Sequence, residues 1–424
     1  MAIPITSPKI PSVGLADIQA AQARIAGALY LSPCPRSETF SKLTGNSVYL
    51  KLDNLQRTGA FKERGALNKL LTMTKEERAR GVIAASAGNH AQGVAYHAGL
   101  HGVHAQILMP LTTPLTKVSA TKGYGADVVL HGANYDEACA EAIRRSQAER
   151  LTFIHPFDDE AVIAGQGTLG LEMLQQCSDA EAMVIPIGGG GLISGIACAV
   201  KETNPKVQIY GVQPSRLPSM EVALAEGRPV VLSPAATIAD GIAVLRTGDR
   251  TLPMVQKYVD QVVTVTEEEI ANAILLLLER EKTLAEGAGA AAIAAVLNHK
   301  LPLNGKKVVV LVSGGNIDVT LLSRIIERGL VKDGRLVRLR VHLPDYPGAL
   351  NRLTGILAQH RASSACDRPA PDLVSGAGKH DRAVLVQTDT RHIHLSADPA
   401  VRANARALPD IMGEVAGLFS DPAQ

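Results

Sequence analysis

The sequence predicts an α/β protein built on a doubly wound, mainly parallel sheet, and three observations carry that expectation. Between about residues 47 and 320, short apolar runs alternate with amphipathic stretches. Several of these runs are continuous and rich in Val and Ile rather than alternating, as in a strand buried on both faces. The stretches between them are long enough to be crossover helices, which parallel neighbours require.

Taken in chain order, the strand candidates are residues 47–52 (SVYLKL), 81–86 (GVIAAS), 103–109 (VHAQILM), 126–132 (ADVVLHG), 151–155 (LTFIH), 182–187 (AMVIPI), 207–212 (VQIYGV), 262–265 (VVTV) and 307–313 (KVVVLVS). One intervening stretch opens on Thr266, Glu267, Glu268 and Glu269, a capping box ahead of Ile270, Ile274, Leu277 and Leu278 at helical spacing. The character changes near residue 330. There Val337, Leu339, Val341 and Leu343 alternate with Arg338, Arg340 and His342, so residues 331–343 predict a half-exposed strand of the antiparallel type. Pro347 and Gly348 predict a turn, and 349–360 a helix. From about 361 the pattern fades into Ala, Arg, Asp, Pro and Ser and reads as coil, with only 383–387 (AVLVQ) strand-like. A length of 424 residues suits two or three domains, and the division expected is 1–330 and 331–424.

Composition narrows the function classes. Net charge is only +2, so a polyanion such as nucleic acid is not expected as the main partner. Aromatic residues are 3% and Trp is absent, which suits base stacking poorly, whereas 38 glycines suit tight turns around a small ligand. The first residues lack a basic stretch followed by a long apolar one, so neither a signal peptide nor a membrane span is expected. The cysteines at 34, 139, 177, 198 and 366 form no CxxC pair; reduced thiols in a cytoplasmic protein are expected, and no metal site.

Four segments could do chemistry. In 185–196 (IPIGGGGLISGI) an apolar strand runs through Gly188, Gly189, Gly190 and Gly191 into Leu192 and a helix-like stretch. Unobstructed backbone N–H groups at a helix start make an anion site, best suited to phosphate. The spacing fits neither the dinucleotide nor the nucleoside-triphosphate glycine motif, and a merely flexible loop is the plain alternative. In 59–70 (GAFKERGALNKL) a lysine near a helix start is nearly always a solvated surface group. Lys62, however, lies between Ala60, Phe61 and Gly65, Ala66, a setting built for close approach. In 84–99 a strand ends at Ser86 and a helix begins near Asn89, whose amide could bond a ligand oxygen. His90 there reads better as a structural hydrogen-bonding group than as a base. In 310–318 (VLVSGGNID) the Ser313 hydroxyl stands at the carboxyl end of a strand, where open α/β sheets bind ligands.

Together with 162–172 (VIAGQGTLGLE), 237–244 (TIADGIAV) and 284–295 (LAEGAGAAAIAA), these segments occur in an order that resembles the fold-type-II pyridoxal-phosphate enzymes, in the branch of threonine dehydratases and serine racemases. The resemblance spans about residues 15–325. It implies two doubly wound lobes with the cofactor in the cleft, the smaller lobe being inserted at about 54–150. It implies that Lys62 carries pyridoxal 5′-phosphate as a Schiff base, flanked by Phe61, and then serves as the base at Cα. Gly188, Gly189, Gly190, Gly191 and Leu192 would cradle the cofactor phosphate. Asn89 would bond the phenolate oxygen, Gly241 would line the ring face, Glu286 would lie near its edge and Ser313 would face its nitrogen. Ser86 through Asn89 would bind the substrate carboxylate.

The reaction so implied is β-elimination of L-threonine to 2-oxobutanoate and ammonia, with L-serine as a side substrate, at the entry to isoleucine synthesis or in threonine breakdown. The racemase alternative is disfavoured by Ala87, which stands where a serine would be the second base. It is also disfavoured by Gln213, Leu217 and Ser219, a poor set for a divalent cation. β-Replacement and non-catalytic amino-acid binding are the remaining alternatives. The segment 331–361 resembles the first half of an ACT regulatory domain, which implies isoleucine or valine as a possible effector, and a homo-oligomer is expected.

Overall fold

Two separate parallel sheets form the body of the chain. The computed structural model describes residues 13–332 and, beyond them, 336–343, 348, 351–352, 354–356, 362–366 and 380–388. The chain divides into two compact units, Met1–Asp318 and Val319–Gln424.

The first unit begins with helices α1 (Leu15–Ile25) and α2 (Glu38–Thr44) and strand β1 (Ser47–Leu52). It then leaves that sheet to build a second. Helices α3 (Lys62–Thr72) and α4 (Lys75–Arg80) lead to β2 (Val82–Ala85), α5 (Asn89–Leu100), β3 (Ala105–Met109), α6 (Leu115–Gly123), β4 (Asp127–Leu130), α7 (Tyr135–Ala148) and β5 (Thr152–Phe153). Helix α8 (Glu160–Gln176) returns the chain to the first sheet. There follow β6 (Ala182–Pro186), α9 (Gly191–Thr203), β7 (Gln208–Pro214), α10 (Ser219–Glu226), α11 (Thr251–Tyr258), β8 (Gln261–Val265), α12 (Glu267–Arg280), α13 (Gly287–Leu297) and β9 (Lys307–Val312). Each strand expected from an apolar run forms within a few residues of its expected limits. The Thr266–Glu269 capping box forms at the start of α12.

The larger sheet runs β1-β9-β6-β7-β8 and the smaller β4-β3-β2-β5, with parallel pairing throughout. Position in the sheet explains sequence character. The central strands β2 and β6 are buried at every residue, and these are continuous apolar runs. The edge strand β4 exposes Asp127 and Leu130. Strand β9, last of the unit, lies between β1 and β6, with Val184 beside Val310. The connection leaving the carboxyl end of β6 leads through α9 to β7, away from its other neighbour β9, and a break of this kind in strand order is where α/β sheets open a crevice.

Apolar burial holds the larger sheet to its helices. Ile193 and Ile196 of α9 pack with Ile209, Val309 and Leu311 of the strands, all essentially inaccessible. Each contributes about 1.5–3 kcal/mol. Helix α8 passes so close to α3 that a methyl group on Gly165 would stand 2.6 Å from the Arg64 carbonyl oxygen. Such an approach admits only glycine.

In the second unit, α14 (Val319–Lys332) precedes a sheet of β10 (Leu336–Leu343), β11 (Ala362–Cys366) and β12 (His380–Thr388). Its order is β10-β12-β11 and both pairings are antiparallel. Strand β10 is the alternating strand expected, although residues 331–332 still belong to α14. Strand β11 differs from expectation, because 362–366 lies in the stretch read as coil. Ala, Ser and Cys carry little strand signal of their own, and pairing with β12 supplies the order. Most of the turn and helix expected at 347–360 lies outside the described residues.

Candidate active site

The chain crosses between the two sheets twice, and both crossings run through the crevice. The first, residues 53–61, pairs with the segment after β9: Phe61 N–H donates to the Ser313 carbonyl at 3.0 Å and Gly315 N–H to the Gly59 carbonyl at 2.9 Å. The second, 154–159, packs on the segment after β6. Lys62 opens α3 at the end of the first crossing, and its Nζ donates to the Pro156 carbonyl of the second at 2.8 Å. Burial lowers its amine to about 8, with Glu286 pulling the other way. The Phe61 ring lies 5.3 Å from Nζ.

The glycines after β6 are shaped from behind. A side chain at Gly189 would collide with the Phe157 ring, and one at Gly191 would meet the Phe157 carbonyl at 2.6 Å. Gly190 has φ +100°, where L residues are strained, and caps α9 without a side-chain hydrogen bond. The N–H groups of Gly191, Leu192 and Ile193 thus have no acceptor in their own helix, and their dipoles add to its positive end. The Leu192 side chain itself belongs to the core.

Asn89, first residue of α5, donates to Glu286 Oε1 at 2.6 Å and accepts from the Asn316 amide at 2.8 Å. Asn316 also donates to the Thr58 carbonyl at 2.7 Å, which fixes the Asn89 orientation. Glu286 stands before α13, its N–H on the Gly314 carbonyl at 3.1 Å. Burial raises its carboxyl to about 7; Asp240 adds to this and the Asn89 bond opposes it. Gly241 lies in a short turn, Asp240–Ile242, where a side-chain carbon would stand 3.3 Å from Glu286 Oε1. Lys117 of α6 reaches across to Asp240 at 2.9 Å.

The structure therefore brings Lys62, Phe61, Asn89, Gly241, Glu286 and Ser313 into one connected network, with Gly188–Leu192 joined to it through Phe157. Ser86 attaches through the turn it shares with Asn89; its hydroxyl accepts the Gly88 N–H at 3.2 Å. His90 bonds the Ile154 carbonyl at 2.9 Å, and burial lowers its imidazole to about 3. The Gln213 amide oxygen accepts from Met220 and Glu221 N–H at 2.9 and 3.2 Å, capping α10. Sequence reasoning missed Pro156, Phe157, Asp158, Asn316 and Thr251. The signal available was position: Pro156–Asp158 follow a strand of the smaller sheet, at its ligand-binding end.

A family model described as pyridoxal-phosphate dependent enzyme matches residues 25–314. The chain belongs to that family. It is 48% identical over 384 residues to an L-threonine ammonia-lyase of Thermotoga maritima, covering 90% of this chain and 95% of the relative. Among solved structures it is similar to the processed form of threonine deaminase isoform 2 of Solanum lycopersicum, with 37% identity and TM-score 0.70, covering 77% of this chain and 93% of that one. It is also similar to maize serine racemase, with 34% identity and TM-score 0.71, covering 75% and 98%. The donor set fits the family's cofactor. A buried amine and a glycine-lined, uncapped helix start suit the carbonyl and the phosphate of pyridoxal phosphate, respectively.

Proposed function

We infer that this chain is a threonine ammonia-lyase, converting L-threonine to 2-oxobutanoate and ammonia and accepting L-serine less well. The observation that carries the reading is the Lys62 amine, lowered to about 8 and held on the Pro156 carbonyl, in a chain with 48% identity to an L-threonine ammonia-lyase. When bound, pyridoxal phosphate supplies an electron sink that weakens the bond from Cα to its proton and lets the β-hydroxyl leave.

The residues divide the remaining work. Lys62 would hold the cofactor at its carbonyl carbon, and the same amine, its proton affinity lowered by burial, would take the α-proton. The N–H groups from Gly188 to Leu192 would hold the phosphate, and Asn89, steadied by Asn316, would orient the ring oxygen. Ser313 would present a neutral hydroxyl to the ring nitrogen, which would not favour a ring cation. Gly241 and Glu286 would close the ring's face and edge, and Ser86 with the following turn would receive the substrate carboxylate. Residues 331–424 serve as an ACT-like regulatory segment answering isoleucine or valine in a cytoplasmic homo-oligomer of isoleucine biosynthesis. Supporting this, the Thermotoga relative spans 90% of the chain, whereas maize serine racemase, matched over nearly its whole length, spans 75%.

Similarity to maize serine racemase gives a second reading, racemisation of serine. Both are tested by incubating the cofactor-loaded protein with L-threonine or L-serine and following keto acid and D-serine. Keto acid from threonine in excess over serine supports the first reading. D-serine formed at a rate comparable with turnover supports the second and contradicts the first.

A further inference from the structure

Behind the glycine loop lies a second layer of contacts that neither substrate nor cofactor chemistry has so far used. The Thr251 hydroxyl, fully buried at the start of α11, donates to the Gly189 carbonyl at 2.6 Å and accepts the Gly248 N–H at 3.1 Å. Gly248 N–H also reaches the Gly189 carbonyl, at 3.3 Å. Asp158 anchors this segment, its carboxylate accepting from Asp249 and Arg250 N–H at 3.2 and 2.9 Å. One residue before it, Phe157 packs on Gly189 and Gly191, and one before that, Pro156 accepts the Lys62 amine.

In a trans peptide the carbonyl and the following N–H point in opposite directions. Pinning the Gly189 carbonyl toward α11 therefore turns the Gly190 N–H the other way, to join the donors at the start of α9. The positive φ of Gly190 continues that orientation into the helix, and a side chain on Gly190 would stand 2.8 Å from Thr251. We propose that Thr251, supported by Asp158, is a positioning residue that sets the N–H donors of the Gly188–Leu192 loop toward a phosphate. The inference rests on the reading of that loop as the cofactor-phosphate cradle.

Two probes separate the cradle from the amine. Pyridoxine 5′-phosphate carries the phosphate but no aldehyde, and pyridoxal carries the aldehyde but no phosphate. Their affinities are measured by titrating full-length protein freed of cofactor. Thr251→Val is expected to weaken pyridoxine 5′-phosphate about tenfold, the loss of one buried hydrogen bond, and to leave pyridoxal unchanged. Thr251→Ser, which keeps the hydroxyl, restores the affinity. Equal losses for both probes would mean that Thr251 only supports the fold, and no loss for either would mean that the carbonyl is held without it; each result overturns the proposal. A wild-type chain that binds neither pyridoxine 5′-phosphate nor pyridoxal phosphate would instead overturn the cofactor reading beneath it.

Discussion

Lys62 and Arg64 stand two residues apart on α3, and their surroundings treat positive charge in opposite ways. The Arg64 guanidinium, almost wholly inaccessible, donates to both Asp53 oxygens at 2.8 and 2.9 Å, to both Glu172 oxygens at 2.6 and 3.0 Å and to the Thr168 hydroxyl at 3.2 Å. Lys51 joins the cluster through Glu172 at 2.6 Å. Burial alone would push the Arg64 guanidinium down, but Asp53 and Glu172 more than offset it. Burial likewise pushes the Asp53 carboxyl up, and Arg64 reverses that. Lys62 donates to one neutral carbonyl, and the loss of solvent outweighs the pull of the Glu286 carboxylate. A saturated charge ties three segments of the chain together, whereas an under-partnered amine is available for reaction. Arg64 is the more enclosed of the two, and the carboxylate partners that Lys62 lacks hold its charge in place.

This contrast can be broken by exchanging what each residue contributes. Lys62→Ala is expected to lower keto-acid formation by about 10⁴-fold or more while leaving the thermal midpoint of the cofactor-free protein in place, read from initial rates and a melting curve. Arg64→Ala is expected to cost about 3–5 kcal/mol of stability by stranding Asp53 and Glu172, read from denaturant titration. Arg64→Lys recovers only part of that, because an ammonium cannot fork to both carboxylates. A melting curve for Arg64→Ala that matches wild type would remove the structural half of the comparison.

The chemical half is sharpened by pH. With the Lys62 amine lowered to about 8, its reaction with pyridoxal phosphate should accelerate as pH rises through 8 and then level off, followed by the growth of the visible absorbance band. An acceleration that continues to pH 10 would mean that burial does not govern the amine. The smallest expected effect is at Glu286. Its carboxyl is raised from 4.5 to about 7, so its contribution to stability is complete below 4.5 and lost as pH rises through 7. Glu286→Gln keeps an acceptor for Asn89 and should melt higher than wild type at pH 8, with the gain vanishing near pH 4.5.

Much of this was legible in the sequence. The central strands announce themselves because burial on both faces leaves an unbroken apolar run, as in Val308–Val312. The glycines before α9 are visible because phosphate-sized openings and left-handed turns restrict residue choice. What remained hidden has a common cause. Pro156 acts through a backbone carbonyl, which any residue supplies, and Thr251 through a partner 62 positions away in sequence. Arg64 resembles a surface residue until its three partners are folded around it. Strand β11 is likewise silent, because small residues take their conformation from a neighbouring strand.

The two ends of the crevice also differ in how much change they tolerate. A single added carbon at Gly189 would strike the Phe157 ring, whereas at Gly88, in the turn after β2, it would meet open space. Random variation in this chain is therefore filtered unevenly. The loop behind α9 is frozen by its own packing, whereas the turn beside Asn89 is limited by the substrate it is proposed to receive rather than by protein contacts. New preferences among amino acids would be expected to arise through changes at Gly88 and its neighbours, and a selection for altered substrate range should recover variants there and none at Gly189 or Gly190.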